Sequence, residues 1–317
     1  IQVPPENWTL VTEFLMVGFS GVYEMHLPLF LLFLSMYLLT LAENGALVLV
    51  VATERRLHTP MYFFLIHLSC LDMWYTTLTV PKMLVGLVGP PGSRAISYPA
   101  CLTQLYLFTF LGATECFLLA AMSYDRYVAI CMPLHYQAVI DQGMCLKLTV
   151  SSWLAGFFTP MLPVYFKLCL TFCGPNVIDH FFCDASPLLA LSCTDISQAE
   201  KVDFLVSLAV LLVSSMVISG SYAHIISTVL GIHSVAGRRR AFSTCTAHLA
   251  VVSIYYGTLF FVYVCSKMAS STDLNKVVSI FYAMVTPMLN PLIYSLRNTE
   301  VKDALYRALF KERRRGV

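Results

Sequence analysis

Charge is scarce in this 317-residue chain: 12% of its residues are Asp, Glu, Lys or Arg, while 58% are hydrophobic. That is about half the charge usual in a soluble domain, so a water-soluble fold is disfavoured. Also missing is any polar or Pro-, Gly- and Ser-rich stretch between the apolar blocks that would join two domains. One membrane domain is therefore expected, although the length alone would allow two soluble ones. The formal net charge of +2, with basic residues scattered among apolar blocks, argues against nucleic acid as a partner. No Ser-His-Asp, HExxH or phosphate-loop pattern is present, which argues against an enzyme. Internal repeats with paired broken helices, which many transporters show, are not found either. The chain has no initiator Met, short cleavable signal or lipidation motif, so the first apolar block is expected to direct insertion itself.

A spanning helix needs about 20 mainly apolar residues. Seven blocks qualify: Leu27–Thr53, Pro60–Val88, Tyr98–Arg126, Cys145–Phe166, Gln198–Leu230, Arg239–Ser266 and Leu274–Leu296. Mid-span Pro and Gly are tolerated because neighbouring helices resatisfy the freed backbone groups. Basic residues set the orientation. Arg55, Arg56, Arg126, Lys147, Arg238, Arg239, Arg240 and the tail residues Lys311, Arg313, Arg314 and Arg315 fall on one side of the membrane, and isolated lysines and Arg94 on the other. The amino terminus is thus expected outside, where the sequon Asn7-Trp8-Thr9 is usable for glycosylation. Between Asn298 and Phe310, apolar Val301, Ala304, Leu305, Ala308 and Leu309 alternate at helical spacing with charged residues, which predicts a short amphipathic helix on membrane lipid. The expected division is an external segment 1–26, a seven-helix domain 27–296 with a long loop 167–197, and an internal helix and tail 297–317.

A charge near the bilayer centre costs at least ~2.5 kcal/mol, so each one needs a reason. Asp72 in the second block and Glu115 in the third are such cases. If both face the interior they hold a sodium-like cation, share one proton because like charges in low dielectric resist joint ionisation, or form a hydrogen-bonded structural pair without an ion. Asp125-Arg126-Tyr127 ends the third block. An arginine there can simply snorkel to the headgroups, but its neighbours suggest a second role.

The run Met122-Ser123-Tyr124-Asp125-Arg126-Tyr127-Val128-Ala129-Ile130-Cys131 resembles the odorant-receptor version of the Asp-Arg-Tyr motif of class A G-protein-coupled receptors. Leu57-His58-Thr59-Pro60-Met61-Tyr62, Ser221-Tyr222, Ala241-Phe242-Ser243-Thr244-Cys245-Thr246-Ala247-His248-Leu249 and Pro287-Met288-Leu289-Asn290-Pro291-Leu292-Ile293-Tyr294 point the same way, in order along nearly the whole chain. Departures are small: Thr246-Ala247 stands where a serine often precedes the histidine, and Tyr255-Tyr256-Gly257 replaces a common Phe-Tyr-Gly. His180-Phe181-Phe182-Cys183-Asp184 resembles the tetrapod-type, class II odorant receptors. The resemblance implies an all-α, rhodopsin-like seven-helix membrane bundle with an amphipathic eighth helix. It further implies a small, volatile, hydrophobic odorant as ligand, a stimulatory, olfactory-type heterotrimeric G protein as partner, and residence in the plasma membrane of olfactory cilia. No cofactor is expected beyond a possible sodium ion at Asp72 and Glu115.

Eleven cysteines are present, most of them inside apolar blocks. Cys101, Cys173, Cys183 and Cys193 lie where oxidation is possible, and spacing alone leaves three pairings open. The resemblance implies Cys101 with Cys183 and Cys173 with Cys193; Cys169 lies close enough to confuse the second bond, and a metal site combining His180 with these thiols is the weaker reading. Phe108, Thr109, Gly112, Ala113 and Cys116 share one face of the third helix at helical spacing, as do Tyr256, Leu259, Phe260 and Tyr263 on the sixth. The resemblance sets these faces opposite each other around a ligand cavity closed by Val206, Ser207, Val210, Ile280 and Ala283; the same stripes would also suit ordinary bundle core. It makes Asp125, Arg126, Tyr127, Tyr222 and His248 the polar contacts of a G-protein switch, with Asn290, Pro291 and Tyr294 permitting the seventh helix to rearrange. A class A receptor for a peptide, amine or lipid is the nearest alternative, but an amine receptor would want an acid where Phe108 stands.

Overall fold

In the computed structural model of the chain, the described residues are 11–18, 25–173, 175–268, 272–297 and 301. Helices dominate: α1 (His26–Thr53), α2 (Pro60–Val88), α3 (Tyr98–Cys131), the short α4 (Tyr136–Val139), α5 (Gln142–Phe158), α6 (Met161–Leu168), the short α7 (Ala185–Leu189), α8 (Ser197–Leu230), α9 (Val235–Met268), α10 (Thr272–Ile280) and α11 (Thr286–Arg297). Asn7 and the expected amphipathic helix, apart from Val301, lie outside the described residues.

Among the described residues, five helical runs are long and apolar enough to cross a membrane, and α9 makes a sixth if its bent halves count as one span. The remaining crossing is the fourth apolar block. Expected as one helix over Cys145–Phe166, it is instead two, α5 and α6, broken at Thr159–Pro160. Pro160 is the N-cap of α6 and Pro163 lies in its first turn. Neither has an amide hydrogen to continue the ladder across the junction. Conversely α3 runs past Arg126 to Cys131, and stops where Pro133 disfavours helical backbone at Met132. The seventh block is interrupted by a π-helical turn, Phe281–Val285, between α10 and α11.

The bundle turns the logic of a soluble protein around. Leu27, Leu31, Leu49, Leu205 and Met216 are more than half exposed, forming apolar surface that only lipid would cover. Inside, Asn44, Asp72, Thr114, Asp125 and His248 are fully buried. The chain is a multi-pass membrane protein. Its central helix is α3, which packs against α2, α5, α6, α8 and α9. Helix α5 approaches it tightly at Gly156, where an added Cβ would overlap the side chain of Thr114. Small residues at such crossings let backbones pack in the absence of a hydrophobic drive between helices.

One end of the bundle carries a three-stranded sheet that the sequence patterning did not announce. Strand β1 (Glu13–Met16) lies between β2 (Ala95–Ser97) and β3 (Val177–Ile178), antiparallel to the first and parallel to the second. Fully buried Phe14 anchors it, its ring set edge-on to Phe172. The segment before α1 is thereby tied to the loops that follow α2 and α6.

Candidate functional site

Next to the sheet, a cavity of about 300 Å³ opens between α3, α6, α8, α9 and the loop that follows β3. Phe108, Thr109, Gly112, Ala113 and Cys116 line it from α3, Val206, Ser207 and Val210 from α8, and Leu259 from α9. Four expected residues are placed differently, and a fifth cannot be placed. Phe260 is 70% exposed and turned out of the bundle. The inward stripe of α9 instead runs through His248, Val252, Tyr255 and Leu259, about one residue out of phase with the expected one. Tyr256 points toward α8, where its hydroxyl donates to Ser214 Oγ at 2.6 Å. The side chain of Tyr263 is outside the described residues. Ile280 and Ala283 pack in the bundle core, and Tyr282 faces the cavity in their place. The π turn accounts for this shift, because its i→i+5 bonding inserts a residue and rotates the face of the helix.

Sequence patterning also passed over the polar wall. Lys167, Asp184 and Asp203 all line the cavity, together with Tyr75, Tyr255 and Tyr282. Lys167 Nζ donates to both carboxylate oxygens of Asp203, at 2.5 and 2.6 Å. The wall rings are tightly placed: Phe108 stacks on Phe182 with centroids 4.7 Å apart and lies 4.6 Å from Tyr75. Two disulfides hold this end. Cys101 at the start of α3 bonds Cys183, and Cys173 bonds Cys193. Cys169 is free and exposed. His180 is buried and spans from the loop to α10: its Nε2 lies 3.1 Å from Ser279 Oγ, and the Phe182 amide donates to its Nδ1 at 3.4 Å. The imidazole therefore donates through Nε2. Burial holds its pKa below the usual value, with Asp184 pulling the other way.

Deeper in the bundle, the amide of Asn290 on α11 donates to both oxygens of Asp72 on α2, at 3.2 and 3.1 Å. Glu115 on α3 is buried, and its Oε1, together with Oδ1 of Asn290, Oδ1 of Asn44 and the hydroxyl of Tyr294, has no hydrogen-bond partner among the described residues. At the opposite end, Arg126 folds back onto its neighbour Asp125, whose second oxygen accepts from Tyr136 Oη at 2.7 Å. Tyr222 Oη lies 2.6 Å from His248 Nδ1, and His248 Nε2 lies 3.2 Å from the Leu119 carbonyl. A carbonyl only accepts, so Nε2 carries the proton and Nδ1 accepts from the tyrosine. One histidine thus ties α3, α8 and α9 together. Tyr127 sits outside this group, its ring 5.6 Å from His224, and Pro291 lies within α11.

A family model described as olfactory receptor matches residues 33–312, and human olfactory receptor 6Q1 is 66% identical over 307 residues, covering 97% of each chain. The chain belongs to the olfactory receptor family. Human olfactory receptor 6B1 is also similar, at 50% identity over 300 residues and 95% of each chain. Rat olfactory receptor 226 is 48% identical over 301 residues, 94% of this chain and 92% of its own. Membership makes the protein a membrane receptor for odorants with G proteins as its general class of partner, and not an enzyme.

For an olfactory receptor, the distribution of chemistry along α3 is informative. Its cavity face is weakly polar, with Thr109 already bonded to the Leu105 carbonyl at 3.0 Å. The stronger polar groups come from α6, α8 and the disulfide-tied loop. Of Lys167, Asp184 and Asp203, Asp184 stood in a motif read from the sequence, with no cavity role attached to it, and Lys167 could have been found as a charge at the edge of an apolar block. The lysine's partner 36 residues away left no such signal.

Proposed function

We propose that this olfactory receptor binds small, mainly apolar volatiles in the cavity beside α3 and answers by activating a stimulatory, olfactory-type G protein, raising cyclic AMP. The observation that carries this reading is that Phe108 to Cys116 in the cavity wall and Arg126 at the far end belong to one unbroken helix. A ligand changes an equilibrium only by binding one state better. Here it would do so by reshaping the packing of α3 against α8 and α9, where Tyr222, His248 and the Leu119 carbonyl meet. The volume suits a small molecule at the lower end of ligand pockets. The basic residues at the Arg126 end favour placing that end in the cytoplasm and the amino terminus outside, with olfactory cilia as the site of residence. The test is a cyclic-AMP reporter in transfected cells, with surface delivery confirmed and a chemically diverse panel of volatiles. Silence across the panel from a delivered receptor would count against the reading.

Asp72 and Glu115 are proposed to hold a sodium ion. The unpartnered buried oxygens of Glu115, Asn290 and Asn44 fit a hard cation, which prefers oxygen ligands, and a bound cation would supply positive charge to a pair of acids. Asp72→Asn should shift the sodium dependence of activation, read as agonist dose-response with sodium exchanged for a bulky organic cation. An unchanged response to both ion and pH would leave the acids as a hydrogen-bonded structural pair.

A further inference from the structure

We propose that Lys167, Asp203 and Asp184 form a charged pole of the cavity that sets its ligand class: molecules with an apolar body and a hydrogen-bond-donating or protonated head group, with carboxylates refused. This rests on the cavity being the odorant site. Three observations lead to it.

The Lys167 side chain is only 2% exposed and is committed to Asp203 through both carboxylate oxygens. Among the described residues its one other hydrogen bond goes to the Pro163 carbonyl, at 3.5 Å. Asp184 follows the disulfide-bonded Cys183 and also lines the cavity. It precedes α7 as the N-cap residue, yet its side chain makes no cap hydrogen bond, so its carboxylate oxygens are not spent on the helix. The wall therefore holds one cation and two carboxylates, a formal charge of −1. The rings of Phe108, Tyr75 and Tyr282 line the same cavity, the last 5.7 Å from Phe108 between centroids. Such rings accept an alkyl body and are also compatible with a nearby cation.

An alcohol or protonated amine can donate to Asp184 while leaving the Lys167–Asp203 pair intact. A carboxylate has two options. It can face two carboxylates, or it can draw Lys167 away and leave Asp203 partly buried with its charge unpaired. Breaking a buried pair in that way is far more costly than never having built it. Rejection by an unpaired charge is an effective way to discriminate between ligands that share an apolar body.

The experiment uses the full-length receptor in the cyclic-AMP reporter cell, with surface delivery quantified and three probes of one carbon skeleton: octylamine, octan-1-ol and octanoic acid. The amine or the alcohol should activate at a concentration roughly 10-fold or more below the acid, as expected of a site that hydrogen-bonds its ligand. Asp184→Asn should narrow that gap, and Asp184→Lys should reverse the order, a gain that misfolding cannot imitate. Equal or better potency of the acid on the unaltered receptor overturns the proposal, as does an unchanged ranking in a surface-delivered Asp184→Lys receptor. Silence to all three probes alongside a response to other volatiles also overturns it, and leaves the odorant site standing. Silence to every volatile would instead remove the site reading and this inference with it.

Discussion

The two ends of the bundle are built on different principles. At the sheet end, two disulfides and three strands fix the loops over the cavity, and the Lys167–Asp203 pair joins α6 to α8. At the Arg126 end the described structure has no covalent tie; Arg126 rests on Asp125, Tyr136 supports Asp125, and His248 bridges three helices by two hydrogen bonds. Each neutral contact of that kind is worth only about 0.5–1.5 kcal/mol net. One end is fastened so that a shape persists, and the other is held weakly enough to be exchanged for a different arrangement. Binding and response can share a molecule because the rigid half does not have to move far for the loose half to change partners.

The contrast can be broken from either side, and the largest effect should come from the fastened end. Cys101→Ser opens a bond that closes an 82-residue separation; removing such a link commonly costs about 2–5 kcal/mol. Little receptor should then reach the cell surface, and what does should melt early in detergent. Substantial delivery with normal thermal stability would show that the strands and packing suffice without it. Arg126→Ala, next in size, should leave surface expression intact while cyclic-AMP output falls roughly 10-fold or more, within the range of coupling between distant sites. A normal agonist response from that variant would remove arginine from the switch. Tyr136→Phe deletes one hydrogen bond to Asp125 at 2.7 Å. It should raise basal cyclic AMP by about 2- to 5-fold, the equivalent of one modest bond; an unchanged baseline would mean that the contact does not favour the resting state.

The smallest effect concerns His180, on the fastened side. Its folded pKa lies below the usual value because of burial, so the unfolded chain binds the extra proton more readily. Its contribution to stability is therefore complete above about pH 6.5 and is lost as pH falls below that value toward the lower folded pKa. Thermal melting of purified receptor should show a slight decline in that window, and His180→Gln should flatten it. A decline that persists in the variant would have to come from other groups.

Much of this architecture was legible before the structure because lipid imposes a simple rule on sequence: long apolar runs, with charges at their ends. That rule locates spans and says little about how each is turned. Phe260 fitted a helical stripe equally well on paper, but α9 buries Val252 and Tyr255 instead. Tyr282 took the place expected of Ile280 and Ala283 because a π turn shifts register, and no residue in Phe281–Val285 advertises such a turn. Strand β1 was hidden by its brevity; four residues carry too little alternation to distinguish a strand from a loop. The Lys167–Asp203 pair was illegible for a different reason, since lateral packing between two helices leaves no periodic trace in either one.

Helix α3 has 34 residues and is uninterrupted from Tyr98 to Cys131. At 1.5 Å per residue, Phe108 and Arg126 stand about 27 Å apart along a single stiff rod. An inclination of some 3° about the upper pivot sweeps the lower end sideways by about 1.4 Å over that span. Half a bond length more or less at the mouth is thus magnified at the foot, and the molecule gains leverage without any relay of intermediate parts.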